Sequence, residues 1–269
     1  MTNNRQQPQK PAIGILHNLA RSGGTLVGRC IGSMDGVRLL SEIHPQGLHY
    51  FNPINQAAEW FGLIDIEEVQ ELISRQESFS FSDAITLLND KCSKEGSHLV
   101  LRDWAYVDFI GAPFNTSPSG HHTLAKALEA EFQLHEVSLV RHPVDQWLSL
   151  TKDPNIAQTI TLKQYMKGYL RYALRCQDHT FIRYEDFTRA PENNMREICN
   201  NMNIEYNRSF LKKWSSYQHI TGDPETYNRD TITEVHRYSV PKALSKQLRK
   251  NQEYKKALQL LDYEDPTNN

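Results

Sequence analysis

The strongest constraint in this sequence is a repeated alternation of two patterns. Short, mostly apolar runs of strand length lie at residues 12–19, 37–43, 98–102, 137–141 and 180–184. Segments with helical spacing separate them, at 25–34, 65–77, 80–91, 121–132, after Pro143, and at 161–176 and 191–202. A last helical stretch covers 241–262. Strands of this length alternating with helices imply βαβ units and a parallel sheet. The expected fold is therefore α/β, with three layers around a central, mostly parallel sheet. Residues 12–263 read as one domain, flanked by a disordered tail at 1–11 and a short tail at 264–269.

In such sheets, ligands bind just beyond the carboxyl ends of the strands. The segments that follow the strands carry charged residues there: Arg21, Glu42, Arg102 with Asp103, Arg141, and Glu185 with Asp186 are the charges to account for. Lys plus Arg number 30 and Asp plus Glu 32 in the 269 residues. A chain this close to neutrality lacks the basic excess of a dedicated nucleic-acid binder. Any anion site must be built locally from a few placed cations and backbone amides.

The remaining composition argues for a cytoplasmic protein without a membrane span. No apolar run approaches the roughly 18 residues of a transmembrane helix. The first eleven residues lack the apolar centre of a signal peptide. Cys30, Cys92, Cys176 and Cys199 are widely spaced and read as reduced, buried thiols. Neither they nor the histidines show metal-site spacing, so no metal ligand is expected.

After the first strand comes Arg21-Ser22-Gly23-Gly24-Thr25, opening a helix. The glycines let the backbone turn tightly and approach an anion. The helix start offers unpaired N–H groups and a positive dipole end. The loop alone fits an ordinary strand-to-helix turn as well. It is not a Walker A loop, because the cation precedes the glycines and no Lys follows them. After the fourth strand, Arg141-His142-Pro143 leads into a helix that carries Ser149. Pro143 suits the first helical position.

These segments together resemble the sulfotransferases that use PAPS (3′-phosphoadenosine 5′-phosphosulfate). Arg21 to Thr25 resembles their 5′-phosphosulfate loop. Arg141-x-Pro143, with Ser149 eight residues after the Arg, resembles their 3′-phosphate motif. Phe181-Ile-Arg-Tyr184-Glu-Asp-Phe187 resembles their fifth-strand motif, whose Tyr lies near the adenine. The motifs occur in family order over residues 13 to about 205. The resemblance implies a P-loop-type nucleotide-binding fold, PAPS as cosubstrate, and 3′,5′-bisphosphoadenosine as product. It assigns Arg21, Ser22, Gly23, Gly24, Thr25, Arg141, Ser149 and Tyr184 to the nucleotide. Gly24 departs from the family's Thr and removes one hydroxyl donor.

The resemblance also frames the search for a base. Cytosolic members place a His two residues beyond a Lys at the third strand end. Here Arg102 and Trp104 occupy those positions. Tyrosylprotein sulfotransferases, and some domains of bacterial biosynthetic enzymes, use a Glu after the second strand. Glu42 stands there, 21 residues after Arg21. Glu42 is the expected general base, His44 its rival, and Arg102 the third-strand cation, whose other reading is an ion pair with Asp103. The implied reaction is in-line, metal-independent sulfuryl transfer to a hydroxyl on a small molecule, lipid, sugar or peptide. Trp104, Tyr106 and Phe109 could shape the acceptor pocket, and residues 217–240 could cover the nucleotide. Two other readings stay open: a P-loop kinase using ATP with Mg²⁺ and Asp103 as metal ligand, and a nucleotide-binding protein without catalysis.

Overall fold

The computed structural model describes residues 10–74, 79–222 and 230–268. The chain runs β1 (Ala12–Asn18), α1 (Gly24–Gly32), β2 (Val37–Ile43), α2 (Pro53–Phe61), α3 (Ile66–Ser74), α4 (Phe81–Lys94), β3 (His98–Asp103) and α5 (Tyr106–Phe109). It continues through α6 (Thr123–Leu128), β4 (Gln133–Val140), α7 (Pro143–Leu150), α8 (Pro154–Ala157), α9 (Leu162–Arg175), β5 (Thr180–Arg183) and α10 (Tyr184–Arg189). The last helices are α11 (Pro191–Met202), α12 (Phe210–Lys213), α13 (Lys242–Leu248) and α14 (Gln252–Leu260). Among the described residues, no helix is long and apolar enough to cross a membrane.

Five strands form one sheet in the order β2-β3-β1-β4-β5, and every pairing is parallel. From β1 the chain winds first toward β2 and β3, then returns to β4 on the other side. That reversal opens a crevice at the carboxyl end of β1. Strand residues alternate between the faces. Leu16, Leu39, Val100, Val137 and Ile182 pack under α1 and α11 on one face. Ile13, Ile15, Leu40, Leu99 and Leu101 pack under α4 and α6 on the other, next to a core built on α9 and α14. Because Arg102 and Asp103 are neighbours on β3, they point to opposite faces.

Helix α9 shows how a sequence period fixes the site's frame. Tyr165, Tyr169 and Tyr172 recur on one face at i, i+4 and i+7, and all three are buried. Their hydroxyls donate to the carbonyls of Pro143 (3.0 Å), Arg141 (2.6 Å) and His17 (3.0 Å). Each bond contributes on the order of 1 kcal/mol net. Together they tie the ends of β1 and β4 to one rigid helix.

The structure refines several expected boundaries. Strand β4 starts at Gln133, since residues 133–136 pair with residues 12–15 of β1, and this cuts the helix expected at 121–132 down to Thr123–Leu128. The helix expected at 65–77 is α3, Ile66–Ser74; positions 75–77 lie outside the described residues. The stretch 241–262 is two helices, because the Asn251 side chain caps α14 by accepting from the Tyr254 N–H. Trp60 and Phe61 belong to α2, started by the Asn52 cap and Pro53. The expected tail after 263 packs onto the body through residue 267. Asp265 accepts from the Tyr254 hydroxyl, and buried Thr267 offers its carbonyl to Arg249. Residues 1–9 of the expected N-terminal tail lie outside the described residues.

Candidate active site

The strand ends converge on a cleft of about 680 Å³. Arg21, Gly23, Gly24 and Thr25 line it from the first loop, and Glu42 and Arg102 from β2 and β3. Arg141, Ser149 and Tyr184 line it from the other side of the switch point. Of the eight residues expected to hold the nucleotide, Ser22 alone does not line the cleft. It is fully buried, and its hydroxyl donates to the Leu19 carbonyl at 2.7 Å. Ser22 therefore holds the turn, and its side chain is not a cradle donor.

The loop after β1 is glycine-rich for two separable reasons. Gly23 has φ 93°, in the left-handed region, and a Cβ there would lie 2.1 Å from the Tyr184 ring. The ring of Tyr184 thus rests on the loop backbone. A Cβ at Gly24 would meet the Asn18 carboxamide at 2.3 Å. Asn18 fills the space that a larger residue at 24 would need. It is 6% exposed, lines the cleft, and its Oδ1 has no hydrogen-bond partner among the described residues. Sequence reading missed Asn18. Its signal was the loss of bulk at Gly24, which is interpretable only with the fold in hand.

The two expected anion sites meet at Arg21. Its Nε donates to Ser149 Oγ (3.0 Å), and its carbonyl accepts from Arg141 Nη1 (3.0 Å). Arg141 lies over the rings of Tyr184 (5.5 Å) and Tyr238 (5.6 Å). Tyr238 and Lys152, also in the cleft wall, are further members missed in the sequence. Burial raises the Tyr238 phenol's pKa, but Lys152 and Arg141 outweigh it and hold the group below its usual range.

Strand β2 carries a bulge between Ser41 and Ile43. Glu42 sits in it with φ 57°, and its carboxylate lies 3.4 Å from Arg102 Nη2. Among the described residues, the non-glycine positions with positive φ are Arg21, Glu42, Asn203 and Asp262. Asn and Asp tolerate that region, whereas Arg and Glu are strained there by roughly 1–3 kcal/mol. The strain falls on two residues already singled out for chemistry. Arg102 is 2% exposed, and both its Nε (3.0 Å) and Nη2 (2.8 Å) donate to Ser41 Oγ. Its Nη2 also donates to the Thr221 carbonyl at 2.9 Å. The ion pair of Arg102 is thus with Glu42, while Asp103 turns to the opposite face.

Thr221 and Gly222 belong to the segment expected as a cover. A Cβ on Gly222 (φ 108°) would stand 2.6 Å from Thr25 Oγ1 and 3.7 Å from Glu42 Oε1. Thr233, Val235 and His236 form more of the wall, and Asp145 anchors this strand of chain by accepting from the Tyr238 N–H at 2.9 Å. Residues 223–229 of the expected cover lie outside the described residues.

His44 is fully buried and does not line the cleft. Its Nδ1 accepts from the Gln46 N–H at 3.1 Å, and its Nε2 lies 3.4 Å from Asp108. Trp104 lines the cleft mouth with exposed Phe114, whereas Tyr106 and Phe109 are core residues. Trp60 and Phe61 pack around His219, away from the cleft.

No protein-family model matches the chain, and no curated protein does. Solved structures do match. The sulfotransferase domain from the Synechococcus PCC 7002 olefin synthase aligns with a TM-score of 0.68 at 18% identity, over 97% of this chain and 99% of that one. The sulfotransferase domain from the curacin biosynthetic pathway aligns with a TM-score of 0.64 at 18% identity, over 96% and 100%. These alignments span both chains almost end to end, and the protein therefore has the fold of the sulfotransferase domains.

Proposed function

We propose that this protein is a sulfotransferase that moves a sulfuryl group from PAPS to an acceptor hydroxyl. The observation that supports it best is the convergence of residues from separate strand ends on one cleft. Arg21 and the amides of residues 22–25 hold the 5′-phosphosulfate. Arg141 and Ser149 hold the 3′-phosphate, and Tyr184 lies near the adenine. Glu42 takes the acceptor's proton as the acceptor oxygen attacks sulfur. The sulfur–oxygen bond to the 5′-phosphate breaks, and the bisphosphate leaves. Arg21 and Arg102 stabilise the charge that develops on the leaving phosphate. Trp104 and Phe114 at the mouth favour an acceptor with an apolar or aromatic portion.

The kinase alternative finds less support. Asp103 is fully buried and already accepts from His17 and His122 on the far face. With one oxygen shared by two histidines and no exposed surface, this carboxylate is poorly placed to hold a nucleotide-bound metal.

Arg141→Ala tests the nucleotide assignment. Losing a charged hydrogen bond of roughly 1.5–3 kcal/mol should weaken bisphosphate binding about 10- to 100-fold. Unchanged affinity would remove Arg141 from the site.

A further inference from the structure

Behind the cleft, on the face of the sheet opposite Arg102, the fold gathers three histidines that lie far apart in sequence. His17 is the next-to-last residue of β1, His122 precedes α6, and His179 precedes β5. One donor atom from each lies within 4.8 Å of the others. Metal-site spacing was invisible in the sequence because the group assembles only when the sheet forms.

Their hydrogen bonds point the ligand atoms inward. His17 Nδ1 and His122 Nδ1 both meet the same oxygen of Asp103, at 2.6 and 3.3 Å. The two ring centroids lie 3.7 Å apart, and each ring has its Nε2 on the side away from Asp103. On that side, His17 Nε2 meets Glu136 Oε2 at 2.9 Å. His122 is 9% exposed, and its Nε2 is buried without a hydrogen-bond partner among the described residues. A buried, unpartnered ring nitrogen is costly unless something binds it. His179 Nε2 lies 2.7 Å from Ser138 Oγ, which leaves its Nδ1 as the ligand atom. A carboxylate on the outer nitrogen of a histidine is the usual support for a metal-bound imidazole.

We propose that His17, His122, His179 and Glu136 form a binding site for one divalent transition-metal ion, with zinc the metal that suits them. Three imidazoles and a carboxylate match zinc's tetrahedral preference, with bonds of about 2.0–2.2 Å. The ion takes the place of the proton on His17 Nε2, which leaves to solvent. Asp103 and Glu136 together balance its double charge. Bound there, the ion staples β1, β4, the start of β5 and the loop before α6. It also fixes Asp103, the chain neighbour of Arg102, and so acts on the cleft through the backbone of β3.

The test uses the untagged full chain, stripped with a chelator and titrated with Zn²⁺ against a chromogenic chelator. One zinc per chain is expected. His122→Gln and His179→Gln should each weaken binding at least 10-fold, and Asp103→Asn by about 10- to 100-fold. His121→Gln should bind as the parent does. Replacing zinc by Co²⁺ in the unaltered chain needs no variant to fold, and should give the intense visible bands of a tetrahedral site. Absence of those bands, absence of chelator-resistant zinc, or equal affinity in folded His122 and His179 variants would overturn the site.

Discussion

The Glu42 carboxylate stands 3.4 Å from the Arg102 guanidinium, although the two residues come from neighbouring strands that should carry them in step. The bulge at Ser41/Ile43 makes the approach possible by turning Glu42 out of register with φ 57°. Arg102 is fixed by Ser41 and Thr221, so Glu42 has a stationary cation beside it. The carboxylate is thus held in a strained backbone, beside an immobile guanidinium, facing the cleft, which is the placement the proposed base requires.

Glu42→Gln keeps the side chain's shape and removes its basicity. Turnover should fall by about 10²- to 10⁴-fold, the usual contribution of a general base. Affinity for the spent nucleotide should stay within about twofold of the parent, because no nucleotide contact is assigned to Glu42. Steady-state kinetics and calorimetric titration measure the two quantities. Full activity in this variant would move the base elsewhere.

Asn18 and Gly24 should behave as a coupled pair. Gly24→Thr restores the hydroxyl common in the resembling loops, but its Cβ would meet the Asn18 carboxamide at 2.3 Å. Alone it should destabilise the protein by roughly 1–3 kcal/mol, the usual scale of overpacking. Adding Asn18→Ala should recover most of that loss. Denaturant melts of the two single variants and the double variant give the coupling energy, and simple additivity would contradict the packing.

His142 supplies a pH dependence independent of catalysis. It is buried, its Nδ1 caps α7 by accepting from the Val144 N–H, and its Nε2 meets the Glu264 carbonyl. Burial first, then the charge of Arg237, pushes its pKa down to about 3. The unfolded chain therefore binds more protons than the folded one between the ordinary value of 6.5 and about 3. Stability is fully present above about 6.5 and should decline as pH falls through that window, by up to about 1.4 kcal/mol per unit from this group. His142→Asn keeps a capping oxygen and should flatten that part of the curve. An unaltered slope in thermal melts across this range would show that His142 does not titrate as described.

Much of the fold was legible because its pattern is local. Apolar runs of strand length and helical spacing survive in any window, and the Gly23 and Pro143 signals mark where helices begin. The loop residues at the strand ends were legible for the same reason. What could not be read required contacts between distant segments. The Glu42 bulge, the Asn18–Gly24 fit and the stacking of Arg141 on Tyr238 each join parts of the chain that sequence spacing does not relate. Ser22 shows the opposite error: a hydroxyl in a phosphate-loop position that is used to close the turn. The break in the C-terminal helix was missed because Asn251 reads as an ordinary polar residue until its side chain is seen to cap.

The nucleotide is the most direct test of the proposed activity, since it does not depend on knowing the acceptor. Calorimetric titration of the purified protein with adenosine 3′,5′-bisphosphate, in buffer without divalent metal, should give saturable binding at one site per chain. The same titration with ATP and Mg²⁺ should give much weaker binding. Tight binding of ATP with Mg²⁺, and none of the bisphosphate, would contradict the sulfotransferase reading.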